Sequence, residues 1–281
     1  MNESFTFTEA VPDRCAPLLF SSPHSGRHYP EDWQSTLTRA ELRLGEDAYV
    51  DDLLTAAPGQ GVALLAAHYP RCYIDLNRAE GDLDPALLAD PWPGELAPGE
   101  KTRMGLGLIR RYVVPGLTIN PAPLPSAEIA RRIATIHRPY HARLRAELEA
   151  LRARFGHAWM IDWHSMKSIG NAMTPDGAGA RRPDFVLGDR DGTSCTPRLT
   201  ALAADTLSGM GYRITINDPY KGGTITQRYG RPADGLHALQ IEMNRALYLH
   251  EPSVTVTAGF DSLKRNLGML TEVLAKAARE G

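Results

Sequence analysis

The chain is poor in several things that would have fixed its class at once. Only 3 of its 281 residues are cysteine, at Cys15, Cys72 and Cys195. They lie too far apart for a disulfide framework or a CxxC zinc knuckle and read as free thiols. No apolar run approaches the ~20 residues of a membrane helix. The opening "MNESFTFTEAVPDR" has neither the basic start nor the apolar core of a secretory leader, so a cytoplasmic location is expected. An excess of positive charge is also missing: 31 Lys and Arg stand against 33 Asp and Glu, a net charge of −2. Without a large basic field, nucleic acid is not an expected partner. There is no internal repeat and no linker, and the length suits one α/β domain spanning residues 1–281.

What is present is alternation. "APLLFSS" (16–22) and "GVALLAAHY" (61–69) read as buried strands, and the stretch between them has the apolar spacing of a helix, with Leu42, Leu44, Tyr49, Val50, Leu53 and Leu54. Residues 82–125 are rich in Pro and Gly and form a long irregular excursion, a kind of segment that is often functional. A helix follows from an N-cap at Ser126, with Pro139 expected to kink or divide it. Strands are then expected in "HAWMIDWHS", in "GARRPDFVLGDRDGTSC", in "YRITINDPYKGG" and in "HALQIEMN", with helices at "PRLTALAADTLSGMG" and from about 261 to 279. The order predicts a single domain with a mixed, largely parallel central sheet flanked by helices.

Three strand ends carry unusual polar groups: "SSPHSG" with His24, "RCYIDLNR" with Arg71, Asp75, Asn77 and Arg78, and "MIDWHS" with Asp162 and His164. In open α/β sheets ligands collect at the carboxyl ends of strands, so three such ends point to one site. Two histidines there point to a metal. A catalytic zinc takes three N or O ligands and leaves a place for water, and the missing carboxylate is available from "GEDAYVDDLL", which holds Glu46, Asp47, Asp51 and Asp52. Other histidine pairs compete: His24 with His28, and His137 with His141. The latter straddles Pro139 on a charged helix and reads as a solvated face. In "LQIEMN", alternation puts Leu239, Ile241 and Met243 on one face and Glu242 on the other, where it is either an outward carboxylate or a general base. "YKGGTITQRYGRP" gathers Lys221, Arg228 and Arg231 among glycines; it lacks the spacing of a phosphate loop, and no helix is expected to start there.

Taken together, "SSPHSGRHYP", "EDAYVDDL", "RCYIDLNR", "IDWHS", "YKGGTITQRYGRP" and "LQIEMNRALYL" resemble, in order, the N-formylglutamate amidohydrolases of bacterial histidine breakdown. A more distant likeness runs to zinc carboxypeptidases and aspartoacylases. The resemblance implies a zinc-carboxypeptidase-like fold and metal-dependent hydrolysis of N-formyl-L-glutamate to glutamate and formate. It implies Zn2+, or another divalent metal, on His24 and His164, with Glu242 as base, Arg71 polarising the scissile carbonyl, and Asn77 and Arg78 gripping a substrate carboxylate. The distant relatives use His-x-x-Glu, but Arg27 stands three residues after His24. The carboxylate must then come from elsewhere, and Asp47 in "EDAYVDDL" is the expected choice, with Glu46 and Asp51 in reserve. Lys221, Arg228, Arg231 and Arg245 are the candidates for a second carboxylate, and Asp162 for orienting a ligand. Two other readings compete: a zinc amidohydrolase or carboxypeptidase acting on another N-acyl amino acid or short peptide, and a non-catalytic carboxylate-binding module.

Overall fold

Apolar runs closed by polar turns make the strands. β1 (Phe5–Thr8), β2 (Leu18–Ser22), β3 (Ala63–Ala67), β4 (Ala158–Met166), β5 (Phe185–Gly188), β6 (Ile214–Ile216) and β7 (Leu236–Asn244) form one sheet in the order β1-β3-β2-β4-β7-β5-β6. A computed structural model describes residues 3–281. β3, β2, β4 and β7 run parallel, while β1 and β5 pair antiparallel with β3 and β7. The sheet is thus mixed and largely parallel, as the alternation predicts. β1 has no counterpart in that reading; its "FTFT" is too short and too polar to stand out alone.

Residues of β2, β3 and β4 are buried throughout, as parallel strands covered on both faces should be. Trp159, Ile161 and Trp163 of β4 point to one face, where the helices Pro197–Gly209 and Gly259–Glu280 pack. Phe20 meets Trp163 edge-on there, with centroids 5.3 Å apart. Burying a side chain such as Phe20 contributes roughly 1.5–3 kcal/mol. Ala158 and Met160 point to the other face, against the long helix that starts at Ser126. Continuing that alternation, Asp162 and His164 lie on the same face as Met160, so the strand turns from apolar to polar towards its carboxyl end. Among the described residues no helix is long and apolar enough to cross a membrane.

The chain moves from β2 to β3 on one side and then to β4 on the other. Such a reversal opens a crevice at the strand ends. Two local features differ from the sequence reading and one follows it. The helix expected after residue 40 is two short pieces, Arg39–Arg43 and Val50–Leu53. Between them Gly45 packs so closely that a Cβ would meet Cys72 Sγ at 2.6 Å, and Tyr49 is left-handed with φ 63°. The helix is divided ahead of Pro139, as expected: the widened π-turn Ile133–His137 separates Ser126–Arg132 from Arg138–Phe155 and accommodates the ring. Ser126 is the first helical residue rather than the cap, and its N–H donates to Asp90 Oδ1 at 3.2 Å.

Candidate active site

Each parallel strand delivers one piece of the site. The turn after β2 carries His24, and β4 carries His164. The break between the two short helices lets Asp47 turn inward, its N–H donating to the His24 carbonyl at 3.1 Å. Asp47 Oδ2 then lies 3.3 Å from His24 Nδ1 and 3.1 Å from His164 Nδ1, and the two nitrogens are 3.0 Å apart. The three residues are buried.

The opposite edge of each ring decides what this triangle is. His24 Nε2 lies 2.7 Å from Asp75 Oδ1, and His164 Nε2 lies 2.8 Å from Asp162 Oδ2. A carboxylate only accepts, so both Nε2 atoms carry hydrogen and both Nδ1 lone pairs face Asp47. Three acceptors this close repel unless positive charge sits among them. With a proton alone, burial lowers the pKa of His164, but Asp162 and Asp47 outweigh it and push the ring up to about 10. A divalent cation meets the same demand, and the donor set of two imidazoles and a carboxylate, each imidazole held by a further carboxylate, fits one. Of the reserve candidates, Glu46 faces Tyr29 and Arg43, and Asp51 pairs with Arg27 at 3.1 Å; neither reaches the triangle.

Asp75 is a hub that the sequence reading left without a role. Its Oδ1 also accepts the Asn77 N–H at 3.0 Å, and Oδ2 accepts from Arg71 Nη2 and Arg110 Nη2 at 3.1 Å each. Burial works against its charge, yet Arg71 and His24 hold the carboxyl well below its usual range. Arg71 stays cationic: desolvation lowers its pKa, but Asp75 and Asp47 raise it further.

Beside the triangle opens a cavity of about 320 Å3, lined by Arg71, Asn77, Arg78, Lys221, Glu242 and Arg245 among others. Glu242 is half-buried and in register with His164 on the next strand. Burial raises its pKa first, with Asp47 adding to the rise, against the positive charges of His164, Arg71 and Lys101.

A sequence profile described as N-formylglutamate amidohydrolase matches residues 16–249. The chain belongs to the N-formylglutamate amidohydrolase family. The N-formylglutamate deformylases of Pseudomonas putida and Pseudomonas aeruginosa are each 34% identical to it, over 84% of this chain and 82% and 83% of theirs. A crystal structure of N-formylglutamate amidohydrolase from Ralstonia eutropha JMP134 has a TM-score of 0.93 at 42% identity, covering 100% of both chains. A gene product from Agrobacterium tumefaciens shares the fold, with a TM-score of 0.63 at 18% identity over 98% of this chain and 96% of that one.

The structure brings some of the expected site residues to the cavity and leaves others away from it or engaged elsewhere. Asn77 lines the cavity, but its amide is occupied: Oδ1 accepts the Ile225 N–H at 2.8 Å, and Nδ2 lies 3.5 Å from Asp162 Oδ2. Gly223 is what permits this, since a Cβ there would come within 2.3 Å of Asn77 Nδ2. As placed, Asn77 ties the strand-end loops together rather than offering a free grip. Arg78 donates from Nε to the Leu106 carbonyl at 2.8 Å and from Nη1 to the Asn77 carbonyl at 2.7 Å. Arg228 and Arg231 do not line the cavity. Both are exposed, because a helix does start in that segment, at Thr224–Tyr229, and it directs Arg228 outward, while Arg231 pairs with Asp234 at 3.3 Å. Arg245 does reach the site, donating to Asp47 Oδ1 at 2.9 Å.

The His137–His141 pair is buried, not solvated. His137 Nε2–H donates to the Arg78 carbonyl and His141 Nε2–H to the Leu76 carbonyl, each at 2.9 Å, gripping the backbone on both sides of Asn77. The i,i+4 spacing was the signal. The charged residues around it masked the buried stripe.

Proposed function

We propose that this chain is a zinc-dependent amidohydrolase that cleaves N-formyl-L-glutamate to L-glutamate and formate. The observation that carries the reading is the buried triangle of His24 Nδ1, His164 Nδ1 and Asp47 Oδ2 at the wall of a cavity holding Glu242 and several cations. The N-formylglutamate deformylase names of its relatives support the substrate.

His24, Asp47 and His164 would hold the ion; when bound, it supplies Lewis acidity and lowers the pKa of a water. Asp75 and Asp162 fix the two rings through Nε2, so each presents the lone pair of Nδ1 without a tautomer change. Glu242 takes the proton of the water whose oxygen attacks the formyl carbon, and then delivers it to the nitrogen as the C–N bond breaks. Arg71, held by Asp75, is placed to stabilise the negative charge that develops on the formyl oxygen. Arg78 grips one carboxylate with the edge of its guanidinium not spent on the Leu106 and Asn77 carbonyls. The cavity suits a single small amino acid derivative better than a peptide.

The test is formate release from N-formyl-L-glutamate by the purified chain, before and after chelation and after return of Zn2+. Release that is lost with chelator and restored by the ion is the expected result. A folded, zinc-loaded protein that releases no formate sinks the reading, and a panel of other N-acyl amino acids would then be the next step.

A further inference from the structure

The cations of the cavity are not equivalent. Arg71 and Arg110 share Asp75, Arg245 holds Asp47, Arg182 is paired with Asp176 at 2.8 Å, and Lys221 with Asp191 at 2.9 Å. Lys101 and Lys167 line the same cavity, and among the described residues neither has a carboxylate in ion-pair reach. Lys167 has Glu251 as its acidic neighbour, the same carboxylate that accepts the Ser168 N–H. Lys101 instead faces the reacting end: the charges acting on it are those of Arg78, Arg71, Glu242 and Asp75.

Its reach follows from the excursion 82–125, which forms the short helix Glu100–Arg103 at the cavity wall. From there Lys101 Nζ lies 5.9 Å from the centre of the Tyr220 ring, whose other cationic neighbour, Arg182, is 5.2 Å away. A residue from the excursion and one from the 219–223 segment thus meet over the cavity. Desolvation there, followed by the like charges of Arg78 and Arg71, holds the ammonium down to about 8. Part of the side chain is open to solvent at the cavity wall, where an incoming anion can reach it. An unpaired cation crowded by other cations gains more from an incoming anion than one already paired.

We infer that Lys101 takes the substrate carboxylate that Arg78 does not, and so sets a preference for acidic N-formyl amino acids over neutral ones. This rests on the deformylase reading above. It also gives the irregular excursion a purpose that needs no motion: it carries a specificity residue to the cavity.

Lys101→Met and Lys101→Arg should be compared with the wild type on N-formyl-L-glutamate and N-formyl-L-glutamine, which match in shape and differ by one charge. Loss of one charge-assisted bond corresponds to roughly tenfold or more. In Lys101→Met, kcat/KM for N-formylglutamate should fall by that much relative to N-formylglutamine, mostly through KM, and Lys101→Arg should recover most of it. Equal losses on both substrates, or none, would overturn the inference. Calorimetric binding of glutarate and butyrate to the same proteins separates this from failure of the parent reading. If the wild type releases no formate, the deformylase assignment falls, while glutarate binding weakened selectively by Lys101→Met still upholds Lys101 as a carboxylate site, and unselective weakening removes it.

Discussion

Glu242 stands opposite His164 in the β4–β7 ladder, on the polar face of a strand whose other face is core. Glu242→Gln preserves shape and removes the base of the proposed mechanism. Turnover should drop about 10²–10⁴-fold, with zinc content and the thermal midpoint little changed; near-normal turnover would remove Glu242 from the mechanism. In the proposed zinc site Asp162 would act one step further out, through His164 Nε2. Asp162→Asn should weaken zinc about 10–100-fold in a chelator competition and leave a folded protein whose activity returns at high zinc. The apparent zinc affinity of the wild type should also loosen as pH falls, because a proton competes for the triangle: about tenfold per pH unit for each proton displaced, read by titration at pH 6, 7 and 8. His24, His164 and Glu242 stood out as candidates because polar side chains at the carboxyl ends of apolar runs are conspicuous. Asp75 was harder to assign, since its partners come from residues 24, 71 and 110 and nothing local announces their meeting.

At the scale of elements, the helix that starts at Ser126 does more than cover the sheet. Its π-turn brings His137 and His141 to the loop bearing Asn77, with ring centroids 4.3 Å apart. Tyr229 stacks on His141 with its hydroxyl 2.9 Å from Nδ1. Burial, joined by the charges of His137 and Arg228, holds the pKa of His141 well below 6.5. The folded state therefore binds this proton more weakly than the unfolded state does. The stabilisation is complete above the unfolded pKa of about 6.5 and is lost as pH falls below it, by up to about 1.4 kcal/mol per pH unit. His141→Gln keeps a donor for the Leu76 carbonyl and cannot titrate. In urea unfolding at pH 7 and pH 5, the wild type should lose its advantage over the variant on going to pH 5; parallel losses in both proteins would assign the acid sensitivity elsewhere. This pairing was misread in sequence for a physical reason. The buried positions recur at steps of three and four residues, from Ile129 through Ile133, Ile136, His137, Tyr140 and His141 to Leu144, Leu148 and Leu151, but the many charged residues between them drew the reading towards a solvated face. The strands were easier, because continuous apolar runs leave few alternatives.

Over the whole molecule the charges nearly cancel, at −2, yet the cavity is strongly cationic, with arginines and lysines brought together from segments as far apart as Arg71 and Arg245. Composition averages this away: the acids that balance the total either lie elsewhere on the surface or are buried behind the arginines, as Asp47 and Asp75 are. The near-neutral total therefore hides a local field suited to a small dianion. A cleft lined by one sign of charge concentrates ligands of the other sign, and salt screens that attraction where the mouth is open to solvent. For N-formyl-L-glutamate, kcat/KM should fall several-fold between about 50 and 500 mM KCl, chiefly through KM, as the Debye length shrinks to a few ångströms. For N-formyl-L-glutamine, with one charge fewer, the slope against ionic strength should be about half as steep. Equal slopes for the two substrates would mean that the cavity cations are neutralised by their own carboxylates and act as scaffold. A steeper slope for the dianion means that they remain available to draw it in.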